Sequence, residues 1–462
     1  NGLQTALGKL QEQQTPNGGW TWFPGMPESD HITQYIVAGF GKLQVMGTDM
    51  KDSRIRQMIE AALRYIDWAM DRRYNELKRY TKDKDLSEDH LGYDAIQYLY
   101  ARSFFKEIDI PSQYTTAFSY WRGQAEKYWT DNTLMAQSMI ALALHRFDRP
   151  KVPKEIVASL NERALHSKEL GMYWKQNSGW FWYELPIETQ ATAIELFDEV
   201  AKDKNAVEEL KMWLLKQKQV NDWKTTTATA DACYALLGRG TDLLASTELV
   251  KIGIGGKELD PRNLPGVAVE EGTGHFRTSW NGEEISPAMA NITLTKVDDG
   301  IAWGGMYWQY FERLDKITPA KTPLMVEKKL YVKSPGPKGY ELKEITSTSA
   351  IRIGDKVTAR IAIRVDRNME YIHLKDMRGA SFEPVSQLSG FRYKGGLGYY
   401  ESVKDASTNF FIQYLTKGTY ILEYDLRASH SGTYLGGITT IQSMYAPEFA
   451  SHTEGITVTV KE

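Results

Sequence analysis

"QTPNGGWTWFPG", residues 14–25, places a glutamine, a glycine and a tryptophan at the spacing Gln14-x-x-x-Gly18-x-Trp20, then adds Trp22, Phe23 and Pro24. Such a stretch is either an aromatic platform for a ligand or a brace between two helices. A glutamine just after a helix can donate to carbonyls that the helix leaves unpaired. Gly18 and Gly19 permit a left-handed turn, and Trp20 is large enough to pack across two hairpins. Burying one tryptophan removes about 150–250 Å² from water, worth about 4–6 kcal/mol. The brace is the preferred reading, built from Gln14, Gly18, Gly19 and Trp20, with Trp180 and Trp223 as counterparts further along.

Those counterparts sit in stretches built on one plan: "YWTDNTLMAQSMIALAL", "QNSGWFWYELPIETQATAIELF" and "NDWKTTTATADACYALL", with "EDHLGYDAIQYLYARSFF" a degenerate copy. Each sets an aromatic or glycine turn before a helix that opens with small residues, and the copies recur every ~40–60 residues, which implies stacked helix pairs. Up to about residue 240 the apolar residues recur at helical spacing, as in Leu3, Leu7 and Leu10 or in Ile32, Tyr35, Ile36, Phe40 and Leu43. Helix starts are expected near residues 2, 30, 52, 89, 112, 132, 153, 186, 205 and 226, with Asp30 and Asn132 as N-caps and Pro111, Pro153 and Pro186 in first turns. Ten helices make five hairpins. Small residues such as Ala38, Gly39, Ala191 and Ala230 suit inner helices, and charged stretches such as 51–80 suit an outer ring. The pattern is that of an α/α toroid, which normally has about six pairs, so one pair is expected upstream of Asn1.

Beyond about residue 247 the period changes to two. In "KVTARIAIRV", Val357, Ala359, Ile361, Ile363 and Val365 alternate as a half-buried strand requires. The expected class is therefore α followed by β: an incomplete toroid over 1–244, a β segment over 245–318 too short for a whole sandwich, and a terminal β-sandwich over 319–462. The boundary falls in "ITPAKTP", and the toroid is read as an insertion within a β domain.

Composition narrows function. Charged residues make up 25% of the 462 and the net charge is −3, which excludes a broad field for nucleic acid or anionic membrane. No apolar run approaches the ~18 residues of a membrane span. The single cysteine, Cys233, excludes an internal disulfide framework.

Three local patterns invite chemistry. "DACY", with Asp231 and Cys233, resembles the Asp-x-Cys zinc pair of protein prenyltransferase β subunits, yet residues two apart on a helix point ~200° from each other. A small buried thiol is the preferred reading. His31 has the position of a general base but no assignable partner, so a capping or surface role is expected. Glu184 and Glu188, near Trp180, Trp182 and Tyr183, could flank a glycosidase or lyase cleft, although two acids four apart read as a solvated helix end. No G-x-S-x-G, H-E-x-x-H, P-loop or dinucleotide glycine pattern is present. No catalytic residue, metal site or cofactor is assigned.

Two resemblances follow from these residues. The Gln14/Gly18/Trp20 spacing resembles the QW motif of terpene cyclases, where it is structural. The whole order resembles the C-terminal end of the alpha-2-macroglobulin family. "QEQQTPNGGWTWFPGMPESDHITQYIVAGFGKLQ" and "KQVNDWKTTTATADACYALLGRG" are similar to hairpins of its thioester domain, and "DMRGASFEPV" with residues 399–458 is similar to the last domain of bacterial members. The resemblance implies a C-terminal fragment of a protease inhibitor that traps target proteases through the full-length protein: thioester domain, CUB-like strands and terminal macroglobulin domain. It further implies no enzymatic activity, a toroid–sandwich contact within the chain, and a periplasmic or outer-envelope location, with room for a lipoprotein anchor on the missing N-terminus. The family's Cys-x-Glu-Gln thioester is absent here, since Cys233 is followed by Tyr234, Ala235 and Leu236. A polysaccharide lyase or glycosidase, also built as toroid plus β-sandwich, is the alternative; a prenyltransferase-like metalloenzyme fits the strand half poorly.

Overall fold

The computed structural model describes residues 2–48, 50, 52–80, 86–175, 185–217, 223, 225–240, 249–270, 274–297, 302, 304–314, 316–337, 339–346 and 348–462. Two compact units result, one of residues 1–217 and 223–304, the other of 218–222 and 305–462.

The first unit contains ten α-helices: α1 (Gly2–Gln13), α2 (Asp30–Val45), α3 (Ser53–Tyr80), α4 (Tyr93–Ser103), α5 (Thr115–Lys127), α6 (Leu134–Arg146), α7 (Lys151–Glu162), α8 (Pro186–Leu196), α9 (Lys204–Gln217) and α10 (Thr226–Gly238). Helices α2, α4, α6, α8 and α10 adjoin one another in that order, and α3, α5, α7 and α9 pack on this row as a second layer. Burial separates the layers: every residue from Ala136 to Leu144 in α6 and from Ile187 to Leu196 in α8 is buried, whereas α7 buries only Pro153, Ile156 and Leu160. Bonds join start to start (Thr227 to Glu188, His31 to Gln97) and end to end (Arg146 and Arg239 to Glu195), so the inner helices run the same way.

Two cap assignments change. Ser29, not Asp30, accepts from the Ile32 amide, and Thr133, not Asn132, accepts from the Ala136 amide. An N-cap needs extended backbone, which Ser29 (ψ 119°) and Thr133 (ψ 158°) have. Asn132 instead donates to the Tyr128 carbonyl. The unit also holds a hairpin of β1 (Leu165–Ser167) and β2 (Gly171–Tyr173), and a three-stranded sheet of β3 (Lys251–Ile254), β4 (Lys257–Leu259) and β5 (Ile292–Thr295) in the order β4-β3-β5.

The second unit is a β-sandwich. Its strands are β6 (Leu324–Gly336), β7 (Gly339–Glu344), β8 (Ala350–Arg352), β9 (Lys356–Val365), β10 (Met369–Met377), β11 (Phe382–Pro384), β12 (Gly390–Lys394), β13 (Leu397–Val403), β14 (Ser407–Leu415), β15 (Gly418–Ala428), β16 (Gly432–Leu435), β17 (Thr439–Ser443), β18 (Ala450–His452) and β19 (Thr457–Lys461). They form sheets of order β12-β13-β14-β10-β17-β18 and β11-β15-β9-β6-β7, plus a small β16-β19-β8 sheet. The alternation in β9 is realised: Val357, Ala359, Ile361, Ile363 and Val365 are all buried. Ile361, Ile363 and Val365 share a core with Ile372, Leu374, Phe410 and Ile412 of the facing sheet, while Val357 and Ala359 belong to a second cluster with Val458 and Val460 of β19, and Tyr424 packs against both.

One ion pair crosses this core. Lys328 Nζ on β6 lies 2.6 Å from Asp376 Oδ1 on β10, with both side chains at most 2% exposed. Lys328 also donates to the Met377 carbonyl at 2.7 Å, and Asp376 accepts from Thr439 Oγ1 at 2.6 Å and the Tyr424 hydroxyl at 2.5 Å. Lys328→Met leaves a buried carboxylate without its counter-ion and should cost about 3–5 kcal/mol. Denaturant unfolding followed by near-UV circular dichroism reads the loss, and an unchanged midpoint would refute it.

Candidate functional site

The opening motif is a hydrogen-bonded corner. Gln14 Nε2 donates to the carbonyls of Gly18 and Met58, both at 2.9 Å. Trp20, 1% exposed, donates its indole N–H to the Leu10 carbonyl at 2.8 Å and its amide to Thr33 Oγ1 at 2.9 Å. Gly18 adopts φ +94°, and a Cβ there would lie 2.2 Å from the Ala61 carbonyl oxygen, so only glycine fits. A Cβ on Gly19 would come within 3.0 Å of Glu28 and Tyr65. Trp223 repeats the pair of bonds, indole to the Leu214 carbonyl and amide to Thr229 Oγ1, each at 3.1 Å. Trp180 lies outside the described residues, as do Trp182, Tyr183 and Glu184. In that repeat Trp174, which the motif reading passes over, donates to the Leu160 carbonyl at 2.9 Å.

Where the inner helices end, charges cluster out of water. Glu195, 1% exposed, receives Arg146 and Arg239 on Oε1, each at 2.7 Å, the Tyr234 hydroxyl at 2.8 Å, and the Tyr100 hydroxyl on Oε2 at 2.5 Å. Glu199 takes both Oε atoms to Arg146 at 2.7 Å and accepts Arg239 at 3.1 Å. Burial acts to raise the Glu195 pKa, but the charges of Arg146, Arg239 and Lys42 and the Tyr100 bond bring it down to about 2. Burial and the facing carboxylate push the Tyr100 and Tyr234 hydroxyls up, so both stay protonated donors. A carboxylate locked ionised between two arginines has no proton to exchange near neutrality, so this cluster is suited to holding helix ends and not to acid–base chemistry.

Where the inner helices start, the surroundings differ. His31 is half-buried, with Nδ1 2.8 Å from Gln97 Oε1 and its ring stacked on Trp22 at 6.0 Å between centroids. It therefore neither caps α2 nor lies free on the surface. Glu188 is only 4% exposed, not a solvated helix end, because α8 is buried on every side; it accepts from Thr227 Oγ1 at 3.1 Å, and burial raises its pKa. Asp231 pairs with Lys42 at 2.6 Å, joining the last inner helix to the first. Cys233 is exposed, contrary to the buried thiol expected, since it lies on the far side of α10 from Asp231.

A repeat that the motif reading missed runs through these starts. Gln34, Gln97, Gln137, Gln190 and Asp231 each lie about one turn into an inner helix, and all are buried. Gln137 donates to the Thr130 and Asn132 carbonyls, and Gln190 to those of Met172 and Leu210. The signal was present as "ITQ", "AIQ", "MAQ" and "ETQ" at matching places in the copies.

A family model of the bacterial alpha-2-macroglobulin MG10 domain matches residues 324–448, from β6 past the end of β17. The chain carries a bacterial alpha-2-macroglobulin domain. Solved macroglobulins are similar along the chain at low identity. The Salmonella protein reacted with methylamine is 16% identical over 98% of this chain and 27% of its own, with TM-score 0.33. The trypsin-activated Escherichia coli protein is 14% identical over 99% and 29%, with TM-score 0.40. Native E. coli alpha-2-macroglobulin from domain MG7 to the C-terminus is 13% identical over 99% and 67%, with TM-score 0.36. A curated Dictyostelium discoideum protein, circularly permutated Ras protein 2, is 25% identical over 120 residues, 26% of this chain and 3% of its own length. The chain thus spans less than a third of the first two macroglobulins.

The buried tryptophan and the two glutamates give separate tests. Trp20→Ala removes a fully buried ring and its carbonyl donor and should destabilise the helical unit by about 3–5 kcal/mol; a melting temperature equal to wild type refutes it. Glu195→Gln leaves Arg146 and Arg239 short of counter-charge and should cost about 3–5 kcal/mol at pH 7. Because the folded pKa of Glu195 lies below the ordinary 4.5, its stabilisation is full above pH 4.5 and lost as pH falls towards 2. Glu188 has the opposite sign: its raised pKa makes ionisation costly once pH rises past 4.5, so Glu188→Gln should melt no lower than wild type at pH 7.

Proposed function

We propose that this chain is the C-terminal part of a bacterial protease trap: an incomplete thioester-type α/α toroid (1–244), CUB-like strands (245–318) and a terminal macroglobulin sandwich (319–462). The observation that carries the reading is the MG10 match at 324–448, downstream in the same chain from a two-layer array of helix hairpins. Uncovered apolar surfaces support it. On α10, Ala230, Cys233 and Leu237 form one exposed stripe, and on α2 a Cβ at Gly39 would touch nothing while Met46 is 41% exposed. The Lys42–Asp231 pair and the approach of Met46 to Gly238 already bring the ends of the row together, so a further helix pair, the one to which the thioester belongs in this family, would have to part α2 from α10. Leu294 on β5 is 68% exposed, and Tyr310 and Phe311 are 79% and 107% exposed, which suits partner strands supplied from elsewhere in the protein. Gln14, Gly18, Gly19, Trp20 and Trp223 act as braces between hairpins and not as a ligand platform.

In this reading the isolated chain catalyses nothing. Full-length protein keeps its thioester away from water by a toroid–sandwich contact until bait cleavage separates the two. An amine of the protease then attacks the thioester carbonyl, the C–S bond breaks as the amide forms, and the cysteine leaves as a free thiol carrying the amine's proton. Such a contact requires an apolar surface on the sandwich. Tyr371, held at φ 51°, meets Tyr445 edge-on at 5.3 Å, and Tyr445 and Met444 are 56% and 53% exposed. Among the described residues no helix is long and apolar enough to cross a membrane; a periplasmic or outer-envelope location belongs to the proposal, as does the lipid anchor.

The test uses the full-length protein with trypsin. An SDS-stable protease conjugate and a shift in native mobility are expected, with the conjugate abolished by prior methylamine. Absence of both conjugate and shift would overturn the trap. Release of unsaturated products from a uronic-acid polymer would replace it with a lyase.

A further inference from the structure

Four strands end the two main sheets, and three are closed to further pairing in recognisable ways. β11 has three residues and ends in Pro384, and β18 is bridged on its outer side by Ala320, the amides of Ala320 and His452 each donating to the other's carbonyl at 3.1 Å. Three of the six residues of β7 are charged: Glu341, Lys343 and Glu344. β12 is the exception. Its two charged residues, Arg392 and Lys394, are both basic, unlike the mixed charges of β7; it has no proline, no strand or bridge lies beyond it among the described residues, and it presents Phe391 and Tyr393 at 84% and 80% exposure.

The aromatic side of β12 continues inward. The register sets Phe391 opposite Tyr400, Tyr400 opposite Phe411, and Phe411 opposite His373. Phe391 and Tyr400 meet edge-on at 5.1 Å, and His373 stacks on Phe411 at 4.7 Å. A solvent-facing sheet surface is ordinarily polar, so a row of rings across four strands marks a place for apolar side chains. The other side of β12 is basic. Arg392 and Lys394 border a cleft of ≈ 560 Å³ together with Lys333, Glu401, Glu423 and Asp425, in which Asp425 answers Lys333 at 2.9 Å and Glu423 answers Arg360 at 2.5 Å. Arg392 is held by Glu401 at 3.3 Å, whereas Lys394 has no acidic partner among the described residues.

We propose that β12 receives an extended segment of a partner polypeptide as an added strand, with acidic residues at alternate positions facing Arg392 and Lys394 and apolar residues between them on Phe391 and Tyr393. A second copy of this chain fits poorly. Antiparallel pairing of β12 with itself about its centre would set Arg392 against Arg392, and like charges directly opposite are unfavourable.

The probe is a fluorescently labelled nonapeptide of alternating glutamate and valine, titrated into the whole chain at low salt. Saturable binding in the micromolar range is expected, weakened at least tenfold by Lys394→Glu and by Phe391→Lys, and at least fivefold by 0.5 M NaCl. Hydrogen exchange should slow at the β12 amides and not at those of β7 or β18. Both variants change exposed side chains, and an unaltered melting temperature confirms that they fold. The proposal fails if the peptide does not saturate, if a block peptide of the same composition binds equally, or if exchange at β12 is unchanged. It also fails if the chain sediments as a dimer that Phe391→Lys dissociates, the signature of self-pairing.

Discussion

In stacked helix pairs the end of each outer helix is covered by the next turn, and a covered carbonyl needs a donor. The helical unit meets that need at the ends of α1, α7 and α9. The Leu10, Leu160 and Leu214 carbonyls there are each taken by an indole N–H, and glutamine amides add bonds to carbonyls inside helices, Met58 in α3 and Leu210 in α9. Tryptophan and glutamine suit the task for one reason: each brings a donor on a body large or long enough to reach a neighbouring helix while the rest of it packs. A phenylalanine would fill the same volume and leave the carbonyl unpaired.

The helix ends pose the converse problem, because charge that is buried must be answered by charge. Glu195 is tolerated at 1% exposure only because two arginines and two hydroxyls converge on it, drawn from α4, α6 and α10 and the residue after α10. Asp67 and Arg102 repeat the arrangement between α3 and α4, where Tyr98 also donates to Asp67 at 2.8 Å. These groups are saturated with partners. At this end of the inner helices the carboxylates Glu195 and Glu199 therefore serve as anchors, whereas burial raises the pKa of Glu188 at the opposite end.

Much of this was legible in the sequence. Helix starts expected near 30, 186 and 226 fall at Asp30, Pro186 and Thr226, because periodicity and proline placement act locally. The alternation of 357–365 was equally plain. The interior charges were not, since Arg146, Glu195 and Arg239 lie far apart in sequence and each alone reads as a solvated helix residue. Glu195 did carry a signal: it interrupts "ATAIELF", a run whose other residues are small or apolar. The thiol of Cys233 was misjudged because composition ranks cysteine among buried residues, whereas the angular argument that separates it from Asp231 already placed it outward.

The sandwich applies the same physics to a different end. A buried ion pair is often no more stable than an apolar pair of equal volume, so the Lys328–Asp376 contact is better understood through register. A one-residue slip of β6 would carry Lys328 to the outer face and bring Glu327 or Lys329 inward, leaving Asp376 beside a like charge or a displaced lysine. The apolar neighbours Val326 and Leu330 would slip too, but valine and leucine tolerate many partners, whereas one carboxylate facing one ammonium does not. The pair thus selects one alignment of β6 against β10, and through β6 fixes its neighbours β7 and β9, on which the cleft beside β12 is built.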